Sequence, residues 1–349
     1  MDSPAYFYPF IISFLISAGL SGILIWLSKK IRLISESRKS IRHAGKKIRI
    51  PRMGGMAIII AFCLALILDP ELVISQPLWG IMTASFIILA FGLWDDFFEI
   101  DWKTQLFFQF VIAALIFIIG VRVEYVTNPL GGVFFLLSDN FFLPSLFFGI
   151  LWIVLLMNTV NWIDGLDGLS GGVVFLGSLA IFFLSLKPEV NQPPIGIISM
   201  ALAGAVLGFL IFNFYPARIL AGTSGSMFMG FMLAVLSIFA GAKIATALLV
   251  MAVPIIDAIW VIGERIRSGN SVFKADRRHL HFKLLELGWS EKKISIFFYS
   301  ITLIILMISL NTRTIGKTIS IVLVFLIMVA YIIFVNNRLS HKNLHALKH

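Results

Sequence analysis

The chain has 349 residues, 59% of them hydrophobic and only 13% charged, with a mean hydropathy of +0.97. This composition excludes a soluble domain of ordinary make-up. The net charge of +10 is read as membrane topology and affinity for anionic headgroups, so no nucleic-acid partner is needed to explain it.

Eleven apolar windows long enough to cross a bilayer follow in chain order, at 5–28, 51–68, 77–94, 105–120, 144–162, 169–186, 195–214, 226–241, 244–262, 294–311 and 317–335. They predict an all-α, polytopic integral membrane protein, one unit over 1–349. The first window lacks a basic start and is too long for a cleaved signal. The connections 29–50, 95–104, 163–168, 215–225 and 263–293 and the tail from 336 share one side. With Arg52, that side carries 23 of the 28 Lys and Arg residues. The positive-inside rule puts it in the cytoplasm and the N-terminus outside. A single cysteine, Cys63, in an apolar stretch supports neither disulfides nor a thiolate metal site.

The acidic residues sort to the same side. Asp95, Asp96, Glu99, Asp101, Asp164, Asp167, Glu264 and Asp276 fall there, with Asp257 inside a span near that end. A site built from several helix ends at one membrane face follows, whereas a transporter more often places its charges near the midplane.

In chain order, Lys46, Lys47, Arg49 and Arg52 precede Met53-Gly54-Gly55. Cations before a close-approach backbone suit phosphate, although most of this charge is accounted for by topology. Gly92-Leu-Trp-Asp95-Asp96 closes the third window. Adjacent carboxylates stay ionised together only near a cation, so the pair suits Mg²⁺ plus a proton acceptor.

Asn158, Asn161, Asp164 and Asp167 then recur every third residue at the end of the fifth window. Polar groups this close to hydrocarbon are presumed functional. On a continuous helix three residues turn about 300°, which separates Asn158 from Asp167. A break at Gly165 or Gly168 would let all four converge. In the loop 263–293, Arg277, His279 and His281 offer phosphate contacts or protons. The segment 283–288 reads as a short interfacial helix.

These motifs, in this order from Lys46 to Gly288, resemble the polyprenyl-phosphate N-acetylhexosamine-1-phosphate transferases. The likeness rests on Pro51-Arg-Met-Gly-Gly55, Gly92-Leu-Trp-Asp-Asp96, Asn158-x-x-Asn161-x-x-Asp164-Gly-x-Asp167-Gly-Leu169, Phe212-Asn213-x-x-Pro216-Ala-Arg218 and His279-x-His281. The resemblance implies transfer of an amino-sugar 1-phosphate from a UDP-sugar to a membrane polyprenyl phosphate. UMP is released, and Mg²⁺, with Mn²⁺ as the alternative, is required. It implies the inner or plasma membrane with the site facing the cytoplasm, and it leaves room for a homodimer.

It also implies roles. Asp95 would act as base or orienter of the lipid phosphate, with Asp96 beside it. Asn161, Asp164 and Asp167 would form the metal and nucleotide shell. Lys46 or Lys47, with Asn158, would meet substrate; Arg277, His279 and His281 would clamp the sugar phosphate; Asn213 would order the neighbouring loop. The arginine pattern and the eleven windows look more like the GlcNAc-1-phosphate branch than the phospho-MurNAc-pentapeptide branch.

Two positions depart from the family pattern. Its Gly-Asp-x-Gly-Ser is here Gly222-Thr223-Ser224-Gly225-Ser226, so a neutral hydroxyl stands where the family has a metal-binding carboxylate. Its His-x-His-His ends here in Phe282. A weak or silent family member is therefore one rival, and a secondary transporter another.

Overall fold

Long apolar runs can satisfy their backbone groups in a bilayer only as helices, and helices dominate the chain. The computed structural model describes residues 4–30, 41–43, 46–48, 50–128, 132–138, 141–240, 244–269, 277–312 and 314–346. The chain order is α1 (Pro4–Lys30), β1 (Ile41–His43), β2 (Lys46–Ile48), α2 (Gly54–Leu68), α3 (Gln76–Phe98), α4 (Trp102–Ile119), β3 (Tyr125–Thr127), β4 (Val133–Phe135), α5 (Leu143–Ile163), α6 (Leu169–Ser185) and α7 (Pro193–Asn213). It continues with α8 (Gly222–Phe239), α9 (Ile244–Val250), α10 (Ala252–Arg267), α11 (Leu280–Glu286), α12 (Glu291–Asn311) and α13 (Thr314–Ala346). The strands form two small antiparallel hairpins, β1–β2 and β3–β4.

This is an all-α polytopic membrane protein. Among the described residues eight helices are long and apolar enough to cross a membrane, and α9 with α10, bent by 76°, makes a ninth. The windows at 51–68 and 169–186 fall on α2 and α6, which have only 15 and 17 residues. All eleven windows thus land on helices.

Local chemistry sets several ends. Pro77 and Pro144 stand in the first turns of α3 and α5, where a missing N–H costs nothing. Asp101 caps α4 by accepting from the amides of Lys103 and Thr104, and Gly120 closes that helix at φ 114°.

The centre of the bundle is α8. Every residue from Gly222 to Ile238 is buried, as expected of a helix apolar all round. It packs on α2, α3, α5, α6 and α7. Its first turn is gripped from two sides. A Cβ on Gly92 of α3 would lie 2.3 Å from the Ser224 Cα, and one on Gly55 of α2 would lie 2.3 Å from the Gly225 nitrogen. The amides of Gly54 and Gly55 donate to the carbonyls of Leu220 and Ala221, both at 2.9 Å.

That arrangement corrects the reading of Met53-Gly54-Gly55 as a phosphate cradle. Those amides are spent on the fold, and the glycines allow α2 and α3 to reach α8. The windows also placed some boundaries wrongly. Thr223 lies in the first turn of α8, not in a loop ending at 225, and Asp95 and Asp96 lie inside α3, not in a loop beginning at 95.

Candidate active site

Asp95 and Asp96 meet the start of α8 at one end of the bundle. Thr223 joins them. Its hydroxyl donates to Asp95 Oδ2 at 2.6 Å, and its amide donates to both Asp96 oxygens at 3.0 and 3.1 Å. Asp95 Oδ1 accepts from the Ile100 amide at 2.9 Å and from Gln105 Nε2 at 2.8 Å. Arg52 pairs with Asp96 through Nε at 3.2 Å. Gly222 sits at φ 71°, and a Cβ there would meet Asp96 Oδ2 at 2.3 Å. The carboxylates are therefore pre-positioned by a helix N-terminus, where a partial positive charge favours anions.

Asp164 follows the last turn of α5. Its Oδ1 accepts from the Ser170 hydroxyl, and its neighbours include Arg52, Asp96 and Asp167. Burial pushes its carboxyl up to about 7, against the Ser170 hydrogen bond and the Arg52 charge, which favour ionisation. Asp96 and Asp164 thus share the Arg52 guanidinium, with Asp95 beside Asp96.

The four polar residues of 158–167 take different hydrogen-bond partners, while Asp164 and Asp167 stay neighbours. Asn158 exchanges amide hydrogen bonds with Gln109 of α4. Asn161 Oδ1 accepts from the Ser226 hydroxyl of α8 at 2.8 Å. Asp167 Oδ2 accepts from the Ala217 amide at 2.8 Å, across from the loop after α7. The break itself is where the glycines placed it, with Gly168 at φ 76° opening α6. Asn213 uses both ends of its amide on backbone: Oδ1 accepts from the Gly168 amide at 3.1 Å and Nδ2 donates to the Ile219 carbonyl at 2.9 Å. It ties the two loops flanking the site, a positioning task.

The histidines assemble next to Gly165. His279 caps α11, and its Nδ1 lies 2.8 Å from Asp257 Oδ2 of α10, whose other oxygen accepts from the Leu280 amide at 2.8 Å. The rings of His279 and His281 lie nearly parallel at 5.7 Å, with Trp162 5.9 Å from His279. His281 is fully buried and has no hydrogen-bond partner for either nitrogen among the described residues. Burial drives its pKa down to about 3 despite Asp257, so it is a neutral imidazole. Its Nε2 would lie 2.8 Å from a Cβ on Gly165, one residue from Asp164. Arg277 is exposed, its guanidinium 5.7 Å from the Phe282 ring centre.

For Lys46 and Lys47 the structure describes only backbone, in β2; Arg49 and Asp276 lie outside the described residues. The 280–286 segment is helical, but it buries Leu280, His281, Lys283 and Leu284 against protein, with Lys283 on Glu264 at 3.0 Å. Sequence reasoning gave no role to Gln105, named Asp257 only among the acids on this side, and named Arg52 only within the cation run suited to phosphate. Asp257 carried a signal, since an acid inside an apolar span needs a partner; Gln105 carried none.

Fold and site together define a membrane enzyme whose carboxylates, arginine and histidines gather at the ends of several helices. The family model described as glycosyl transferase family 4 matches residues 78–241. The chain is 32% identical to the decaprenyl-phosphate N-acetylglucosaminephosphotransferase of Mycobacterium leprae (strain TN), over 81% of this chain and 77% of that one. It is 29% identical to the probable undecaprenyl-phosphate N-acetylglucosaminyl 1-phosphate transferase of Bacillus subtilis (strain 168), over 95% and 92%. It is also 31% identical to the phospho-N-acetylmuramoyl-pentapeptide-transferase of Borreliella afzelii (strain PKo), over 87% and 94%. The chain belongs to glycosyl transferase family 4, the polyprenyl-phosphate N-acetylglucosamine-1-phosphate transferases.

Proposed function

We propose that this protein transfers N-acetylglucosamine 1-phosphate from its UDP-sugar to a polyprenyl phosphate, at the cytoplasmic face of the cell membrane. The observation that carries the reading is the Asp95–Asp96 pair, held on the first turn of α8 and facing Arg52 and Asp164. An oxygen of the lipid phosphate forms a bond to the β-phosphorus of the UDP-sugar. The bond from that phosphorus to the α,β-bridging oxygen breaks, and UMP leaves with the electron pair. Little covalent work falls to the protein in such a step, so catalysis rests on positioning and charge.

Asp95 accepts any proton remaining on the lipid phosphate and orients its attacking oxygen. Arg52 meets phosphate oxygens. The neutral His281 and the Asp257-held His279 face the sugar-phosphate side as hydrogen-bonding groups. Asn213 and Gln105 keep the two loops and Asp95 in register.

Mg²⁺ fits the donor set. Asp96, Asp164 and Asn161 offer hard oxygens, and among the described residues Asp96 and Asp164 both lean on the Arg52 guanidinium. Among the described residues no three acidic or histidine side chains already form a cage. When bound, Mg²⁺ would neutralise charge on the pyrophosphate.

With the basic loops inside, the reading that the charge split supports, this end of the bundle would face the cytoplasm. A second reading, a weakly active member, is favoured by one observation: Thr223 brings no negative charge to the cluster.

The deciding experiment supplies purified protein with polyprenyl phosphate and either labelled UDP-GlcNAc or UDP-MurNAc-pentapeptide, with Mg²⁺ or with EDTA. Label should enter the lipid extract from UDP-GlcNAc only, and only with Mg²⁺. Label from the pentapeptide substrate alone would move the protein to the other branch, and none from either would leave the silent reading standing.

A further inference from the structure

At the helix ends opposite the carboxylates the bundle holds a cavity of about 870 Å³. It lies beside α9, whose seven residues stop at the 76° bend into α10. Its wall is apolar: Phe148, Leu151, Trp152 and Leu155 of α5, Leu248 of α9 and Ile321 of α13. Along α5, Phe148 and Asp164 are 16 residues apart, or about 24 Å at 1.5 Å per residue. The cavity is therefore separate from the transfer site.

Its rim is polar. Lys187, Glu189, Thr246 and Lys317 all line it. Lys317 Nζ donates to the Thr246 hydroxyl at 2.8 Å, and Lys187 Nζ donates to the Leu310 carbonyl at the end of α12. An ammonium has three protons, so Lys187 keeps donors beyond that one bond. Among the described residues lining the cavity, two ammonium groups stand with one carboxylate, Glu189. The charge split leaves only five Lys and Arg residues on this side of the chain, and two of them are here.

We propose that this cavity binds one anionic phospholipid, with acyl chain along the α5–α9–α13 wall and phosphodiester at Lys187 and Lys317. A volume of this size falls in the range of ligand sites, about 300–1,000 Å³. An apolar pocket that cations also line matches a chain with a negatively charged head. A zwitterionic head would carry its own cation to the two lysines. The polyprenyl acceptor's phosphate is not the group at the lysines, because it must reach the carboxylates some 24 Å away along α5.

The test is native mass spectrometry of delipidated protein offered phosphatidylglycerol, phosphatidylethanolamine or polyprenyl phosphate. Wild type should retain one phosphatidylglycerol at least tenfold better than phosphatidylethanolamine. The Lys187→Gln/Lys317→Gln variant should lose that preference, and Lys187→Arg/Lys317→Arg should keep it. Ala245→Phe, which narrows the cavity without touching the lysines, should weaken retention of phosphatidylglycerol tenfold at an unchanged melting temperature; if the double Gln variant fails to fold, this one decides. Equal retention of both phospholipids, phosphatidylglycerol held by the Gln variant, or stronger retention of polyprenyl phosphate would each overturn the assignment.

Discussion

Thr223 shows how one residue can break a family pattern and still serve the same place. It offers no carboxylate, yet its hydroxyl and amide hold Asp95 and Asp96 together. In Thr223→Asp a second charged oxygen would stand where a hydroxyl now lies 2.6 Å from Asp95 Oδ2. Two carboxylates that close repel unless a cation lies between them. The variant should melt lower than wild type in EDTA and show the larger upward shift with millimolar Mg²⁺. Equal shifts in the two proteins would put position 223 away from the metal.

His281 makes a pH prediction whose sign follows from its depressed pKa. Between about 3 and the ordinary 6.5 the unfolded imidazole binds a proton that the buried one does not. Stability from this group is present above 6.5 and is lost as pH falls toward 3. The apparent melting temperature should drop from pH 7 to pH 5, and His281→Phe should flatten that drop. An identical slope in both proteins would contradict a buried neutral imidazole. The types of chemistry-bearing residue were legible in the sequence, but their partners were not. Nothing in the spacing of Asn158 points to Gln109, 49 residues away, and Asp257 meets His279 only because α10 and α11 fold together.

At the scale of elements, the glycines that resembled a phosphate cradle are packing devices. Gly92→Ala would press a methyl to within 2.3 Å of the Ser224 backbone. Neither helix can yield there without moving Thr223, so overpacking should cost about 1–3 kcal/mol or more. The expected result is a lower melting temperature and reduced yield of folded protein, read by fluorescence-detected size exclusion. A wild-type profile would show that α3 and α8 do not touch there. Hydropathy found every apolar helix, because burial in lipid leaves long runs that nothing else explains. It misplaced the start of α8, since Gly222 to Ser226 are small and polar and read as a loop. They are helical because α2 and α3 cover them and Asp96 accepts the Thr223 amide.

For the whole molecule, the charge split predicts the orientation. A reporter after His349 should read cytoplasmic and one before Tyr6 external, from the 23-to-5 distribution of Lys and Arg; both reading from one side would remove the eleven-crossing arrangement. In the proposed orientation the lipid acceptor would keep its tail in the bilayer while its phosphate meets Asp95, Asp96 and Arg52. The most direct measurement of this site is UMP release from UDP-GlcNAc and polyprenyl phosphate in proteoliposomes, comparing wild type with Asp95→Asn. Asparagine keeps the shape and an acceptor oxygen but loses the charge, so turnover should fall at least about a hundredfold with melting temperature little changed. Near-normal UMP release from a folded Asp95→Asn protein would place the chemistry elsewhere.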